Sequence, residues 1–341
     1  MKTLAVYPFD LYSKYFKDKI ELLQDYEKVI LITPSTSQIE ENEHTFWKVT
    51  KDWKKGIEES DTVLILPGLS KEEKYINLID YSLSLGKKVF LSKNTVAMDK
   101  YAKCYIAENE WFEEKTEHLY DITVPVITVM SLGEKSEKFD LQLSIGQYFK
   151  EQGYRVIQYG SNETSEFFGL KRLPNFMYKD YTYSRKVKLF NRYIYEETEK
   201  HRPDLVIIGC SGGIMPYNKY IHNYFGEIPS VVSKALDIDI NIVSLYLTEK
   251  GTTDPEYVDA LDLFCKENFG CEVNLFTMSN IYANYNREKK LQEYMMFDEN
   301  SVNKSIMEYD STKLFNKNKK EDVREMFSTI EEILKTDFEV L

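Results

Sequence analysis

An α/β fold built from two doubly wound, mainly parallel sheets is predicted by three features of this 341-residue sequence. Short, continuous apolar runs rich in β-branched residues recur along it and end in proline or glycine, as strands buried on both faces do. The segments between them are long enough for the helical crossovers that parallel strands require. The alternation restarts near residue 124, and the length fits two domains of roughly 150 residues better than one. The expected domains are 1–120 and 121–341.

In the first, Thr3-Leu4-Ala5-Val6-Tyr7 is a strand stopped by Pro8, and Val29-Ile30-Leu31-Ile32-Thr33 is a strand stopped by Pro34. Thr62-Val63-Leu64-Ile65-Leu66 runs into Pro67-Gly68, and Lys88-Val89-Phe90-Leu91 follows. Helices are expected over 12–26, 50–59 and 71–85, the last closed by Gly86 as a C-cap.

In the second, the strand 124–130 leads through the loop 131–138 into a helix over 139–151, with Leu141, Leu143, Ile145 and Phe149 for its buried side. Gly153 ends that helix. Strands are expected at 154–159, 204–210, 240–247 and 272–277, with a helix over 255–268. The tail from 288 onward reads as polar and helical. Its last helix, 321–335, carries Val323, Met326, Phe327, Ile330 and Leu334 on one face, a core-packing stripe.

Composition narrows the function. A chain that is 43% hydrophobic and 14% aromatic can build a core and is not disordered. Its 44 basic and 56 acidic residues leave a net charge of −12, which repels phosphate backbones, so nucleic acid is not an expected partner. Cys104, Cys210, Cys265 and Cys271, like the four histidines, are scattered without CxxC, HExxH or HxxxH spacing, against a zinc site. Sparse cysteines suggest a reducing compartment. No stretch approaches 18 apolar residues and no targeting segment is visible, so no membrane partner and a cytoplasmic location are expected.

The strongest chemical signal is the strand–loop–helix unit 124–150. Backbone N–H groups, the helix dipole and a lysine at such a turn cradle phosphate. Gly133, Lys135, Ser136 and Lys138 are the candidate anion- or nucleotide-binding residues, and a nucleotide is the one cofactor suggested. A full phosphate loop reads GxxxxGK[ST]. Here Glu137 stands at the close-approach glycine and Phe139 at the magnesium-binding hydroxyl, and Glu134 and Glu137 oppose a polyphosphate. The strand 204–210 ends in Cys210-Ser211-Gly212-Gly213 without the acid that metal-assisted phosphoryl transfer needs. The unit therefore reads either as a degenerate phosphate loop or as an ordinary βα turn, without nucleotide hydrolysis.

Strand ends that face a common sheet edge supply a candidate ligand cleft: Tyr7, Asp10 and Gly68 in the first domain, and Cys210, Ser211, Gly212 and Gly213 in the second. Asp10 serves equally well as a helix cap. Cys210 lacks an identifiable activating base and reads more simply as a small buried hydrophobe. The stretch 167–195 is locally basic and tyrosine-rich in an acidic chain. Arg172, Tyr181, Tyr183, Arg185, Lys186 and Lys188 are its candidate partner-binding residues, against the alternative of an amphipathic helix packed on the sheet.

In chain order, Tyr7-Pro8-Phe9-Asp10, the loop from Gly133-Glu134 to Lys138-Phe139, Gly153-Tyr154 with Gly160-Ser161, and Gly212-Gly213-Ile214-Met215-Pro216 resemble the peptide-maturation system proteins. That family is encoded beside radical-SAM enzymes in ribosomal-peptide natural-product cassettes of anaerobic bacteria. The resemblance implies a partner of a precursor peptide or its radical-SAM modifying enzyme, and the degraded loop with the basic, tyrosine-rich segment makes a non-catalytic accessory protein the expected reading. In the family the loop more often has glycine before the lysine, and Glu137 departs from this. A divergent ATP- or GTP-dependent enzyme of peptide modification is the alternative, carried by the strand–loop–lysine–helix unit.

Overall fold

The computed structural model describes residues 2–68, 72–92, 94–111, 117–247, 255–307 and 313–338. The chain folds as two α/β units: one of 1–108 with 163–169, the other of 109–162 with 170–341. Relative to the expected boundary at 120, residues 109–120 thus belong with the second unit, and 163–169 with the first.

The first unit contains β1 (Thr3–Tyr7), α1 (Tyr15–Asp18), β2 (Lys28–Ile32), β3 (Asn42–Glu43), β4 (Trp47–Thr50), α2 (Trp53–Glu58), β5 (Thr62–Ile65), α3 (Glu72–Ser84) and β6 (Lys88–Leu91). The sheet order is β3-β4-β2-β1-β5-β6, parallel except for β3 against β4. Strand order reverses at β1, which pairs Leu4 with Val29 on one side and Ala5 with Val63 on the other. Ala5, Tyr7, Ile30, Ile32, Val63 and Ile65 form a core with Tyr75, Leu78 and Ile79 of α3.

Two expectations here are corrected. The helix expected over 12–26 is three short turns, Leu11–Ser13, α1 and Ile20–Leu22. Lys19 leaves helical geometry at φ −127°, ψ 34°, and Asp25 is left-handed at φ 66°. Tyr15 and Phe16 instead cluster with Phe168, at 5.5 and 5.2 Å between ring centroids. The helix expected over 50–59 begins only at Trp53, because residues 47–50 are drawn into β4 beside β2, with Val29 opposite Trp47. Asp52 marks the switch by accepting the Lys55 N–H at 3.1 Å.

The second unit contains β7 (Val126–Ser131), α4 (Lys138–Glu151), β8 (Val156–Gly160), β9 (Lys171–Arg172), α5 (Tyr183–His201), β10 (Leu205–Gly209), α6 (Glu227–Ala235), β11 (Ile240–Leu247), α7 (Pro255–Phe269), β12 (Leu275–Asn286), β13 (Leu291–Met296), α8 (Glu299–Met307), β14 (Leu314–Asn316) and α9 (Lys320–Phe338). The order is β13-β12-β11-β7-β10-β8-β9, with β14 also on β12. Among the described strands of this sheet, only β13 runs antiparallel. Ile127, Val129, Leu141, Ile145, Ile207 and Ile242 are packed with Met326, Phe327 and Ile330 of α9, as the helical stripe in the tail predicts.

The tail is less helical than expected. β12 runs 12 residues to Asn286, and β13 folds back on it, Ala283 opposite Tyr294. β13 is a half-exposed edge strand, so it lacks the apolar run that marks buried strands. β14 is three residues long, too short for any periodicity to show.

Candidate functional site

The second sheet has its crossover point at β7, which lies between β10 and β11. In an open α/β sheet, ligands bind outside the carboxyl ends of the strands at that point. There the chain leaves β7 at Ser131, turns through 132–137 and enters α4 at Lys138.

The turn is held from within. Lys135 and Glu137 are both left-handed, at φ 57° and 60°. Ser136 is buried, and its hydroxyl donates to the Gly133 carbonyl at 3.1 Å. The Ser244 hydroxyl donates to the Ser136 carbonyl at 2.6 Å, and the Tyr246 hydroxyl donates to the Glu134 carbonyl. Ser136 is therefore a brace of the loop. Lys135 is exposed, with its ammonium 5.0 Å from the Tyr294 ring centre.

Lys138 joins this loop to the one after β10. Its ammonium donates to Ser131 Oγ at 3.0 Å and to the Gly212 carbonyl. Both acceptors are neutral, and no carboxylate is paired with Lys138 among the described residues. Burial pushes this ammonium down to about 8, with nearby Cys210 and Glu134 working the other way. Lys138 is thus a cation at neutral pH held by two weak partners.

The 210–213 loop is pressed against it. Gly212 is left-handed at φ 70°, and a Cβ there would fall 2.8 Å from the Asn223 carbonyl oxygen. A Cβ on Gly213 would fall 2.5 Å from the Leu132 carbonyl oxygen, a backbone contact that cannot yield. The Ser211 hydroxyl lies 2.5 Å from that of Tyr178, whose ring stays partly exposed while its hydroxyl end turns inward. Cys210 is buried, and burial pushes its thiol up to about 12. It is a neutral thiol at physiological pH. Peptide-resolved iodoacetamide labelling at pH 7.5 is expected to leave Cys210 unmodified in the folded chain and to modify it fully in urea.

Glu137 departs most from the sequence argument. Its carboxylate lies 3.3 Å from the Lys317 ammonium, which also meets Asp140 at 2.9 Å. The Asn280 backbone N–H donates to it at 3.3 Å, and the Asn280 amide, with its nitrogen turned inward, adds contacts at 3.0 and 3.1 Å. Lys317 is one cation for two carboxylates, so Glu137 and Asp140 together keep a net negative charge beside the loop, and the exposed Glu134 adds to it.

The expected cleft residues of the first unit are placed at its own crossover point. A Cβ on Gly68 would fall 2.6 Å from Pro8 Cγ, so the loops after β1 and β5 meet. Tyr7 is fully buried, edge-on to Tyr75 at 5.9 Å. Asp10 caps the turn that follows, its Oδ1 accepting from the N–H groups of Tyr12 at 2.9 Å and Ser13 at 3.0 Å. Its carboxylate is committed to the backbone.

The basic, tyrosine-rich segment is divided between fold and surface. Lys186 is buried and paired with Glu227 at 2.8 Å, tying α5 to α6. The Tyr183 hydroxyl is bonded to Ser230, 2.8 Å from its Oγ. Arg185 is exposed over the Tyr181 ring, 4.0 Å from its centre, Lys188 is half-buried, and Arg172 belongs to β9. Lys186→Ser is expected to cost about 2 kcal/mol in urea unfolding, since it strands one side of a charged hydrogen bond, whereas Lys188→Ser is expected to be close to neutral.

Sequence reasoning missed Ser131, Tyr178, Asn223 and Lys317. Lys317 reaches the loop from far along the chain, and no local pattern announces it. Asn223 does carry a signal, standing three residues before Gly226 in a turn-forming stretch. Its amide donates to the carbonyls of Leu132 at 2.9 Å and Met215 at 3.1 Å. Among the described residues no group of three or more His, Cys, Asp or Glu side chains could hold a metal ion. A cavity of about 340 Å3, lined by Pro125, Phe149, Tyr154, Leu205 and Leu334 among others, lies at the opposite edge of the sheet, where β7 and β10 begin. No described helix is long and apolar enough to cross a membrane.

No protein-family model matches the chain, and no curated protein matches it. Among solved structures it is similar to a DUF1611 family protein from Anabaena variabilis ATCC 29413, with a TM-score of 0.59 and 10% identity over 97% of this chain and 100% of that one. At that identity the likeness shows the fold. Weaker likenesses include a plasmid partition protein of Borrelia burgdorferi B31 bound to AMPPNP (TM-score 0.33, 10% identity, 63% of this chain and 100% of that one). Another is the hydrogenase maturation factor HypB of Archaeoglobus fulgidus (TM-score 0.33, 12% identity, 62% of this chain and 90% of that one).

Proposed function

We propose that the second unit binds a phosphate-bearing ligand, a nucleotide, at the loops after β7 and β10, without magnesium and without hydrolysing it. The observation that carries this reading is Lys138, a cation at the crossover point held, among the described residues, by Ser131 Oγ and the Gly212 carbonyl. A phosphate entering there exchanges these neutral acceptors for a charge-assisted pair. Two positions that metal-assisted nucleotide chemistry uses are altered. Phe139 is buried where a magnesium-binding hydroxyl would stand, and Cys210 is buried where the acid would stand.

Melting temperature tests this reading. ADP at a hundred times its Kd should add about 2.7 kcal/mol of stability, equally in EDTA and in magnesium. No stabilisation at millimolar ADP or ATP would remove the proposal. Magnesium-dependent phosphate release lost in Lys138→Ala would favour the nucleotide-dependent enzyme instead.

The wider role we propose is that of an accessory protein in ribosomal-peptide maturation, as the sequence resemblance implies. Arg185, stacked over Tyr181 on the exposed side of α5, is the surface we assign to an acidic precursor peptide or an acidic face of the radical-SAM enzyme. Binding there should weaken with added salt, because exposed charges are screened over about 10 Å at 0.1 M.

A further inference from the structure

We infer that the turn 222–226 is a stacking platform for the base of the nucleotide, an inference that rests on the phosphate reading of Lys138. Asn223, Tyr224 and Phe225 are consecutive non-glycine residues in the left-handed region, at φ 49°, 55° and 55°, followed by Gly226 at φ 73°. Left-handed backbone is costly for every residue except glycine, and a run of it persists only where its surroundings impose it. The Asn223 amide imposes it here by bonding the carbonyls of Leu132 and Met215.

The geometry delivers rings to the phosphate loops. A Cβ on Gly212 would lie 2.8 Å from Tyr224 Cδ2, and the Gly212 carbonyl is the one that receives the Lys138 ammonium. The Tyr178 ring stands edge-on to Tyr224 at 6.4 Å, with its hydroxyl on Ser211 of the same loop. Phe225 lies on the His222 ring at 4.5 Å and is 68% exposed, unusual for phenylalanine, while Tyr224 is 51% exposed. A strained turn that holds the Tyr224 ring against the loop of the Lys138 acceptor, with the exposed Phe225 next in the chain, fits a ligand with anionic and planar parts. Every nucleobase offers such a plane, so stacking here is tolerant of base identity.

Two probes, ADP and inorganic tripolyphosphate, separate the subsites by calorimetric titration of the full chain. Tyr224→Ala/Phe225→Ala is expected to weaken ADP about 5- to 150-fold, the range found for removing a stacked ring, and to leave tripolyphosphate unchanged. Tyr224→Trp, which keeps a ring on the strained backbone, should retain ADP binding and show that the turn still forms. Equal losses for both probes in the double variant, or no loss for either, would overturn the platform while leaving the phosphate site standing. Failure of both probes to bind the native chain would overturn the phosphate reading, and the platform with it.

Discussion

Lys138→Met is expected to weaken nucleotide binding strongly while leaving the fold intact. The methionine keeps the length and apolar stem of the side chain but cannot meet a phosphate. Removing one side of a buried, charge-assisted pair costs on the order of 2–5 kcal/mol, so affinity should fall about thirty-fold or more. Stability should stay within about 1 kcal/mol, because the two hydrogen bonds lost are offset by the burial cost of the ammonium that goes with them. The native chain should show a matching pH dependence. Below about 8 the ammonium is already charged and affinity is flat. Above about 8 binding must take up a proton, and Kd should rise by up to tenfold per pH unit. Calorimetry across pH 6.5–9.5 checks both, and Lys138→Met should show neither the affinity nor the slope.

Lys317→Ala is expected to give the largest loss of stability of the substitutions discussed. It leaves the carboxylates of Glu137 and Asp140 facing each other without the cation that lies 3.3 and 2.9 Å from them. Breaking a buried ion pair from one side costs about 3–5 kcal/mol, readable as the urea midpoint. Glu137→Gln added to Lys317→Ala should recover part of that loss by removing one stranded charge. Burial opposes the Lys317 ammonium, but Asp140 and Glu137 outweigh it and hold its pKa above 10.5. A raised lysine contributes stability that is complete below its ordinary value and fades only as pH rises through the folded one. The gap between native and variant chains should therefore be constant from pH 6 to 9 and narrow only at strongly alkaline pH.

How much of this was legible in the sequence follows from what each element buries. β1 and β11 coincide with their apolar runs, because a strand covered on both faces leaves an uninterrupted signature. β4 and β13 were not legible, since one is short and mixed with lysine and the other is a half-exposed edge. The turn from β7 into α4 was legible as far as Lys138, which carries its own local pattern. The partners of Glu137 were not legible, because Lys317 and Asn280, which pair with that carboxylate, come from 180 and 143 residues downstream. Local sequence places Lys186 among the partner-binding candidates, yet its partner Glu227 lies on another helix and it is buried there. Local chemistry shows in local sequence; long-range pairing does not.

Hydrogen–deuterium exchange of the native chain, with and without saturating ADP in EDTA, tests the central claim most directly. Binding at the crossover point of the second sheet predicts slowed exchange at 133–138 and 210–213, with the first unit unchanged and no added effect of magnesium. Protection confined to the loops after β1 and β5, or protection that appears only with magnesium, would contradict it.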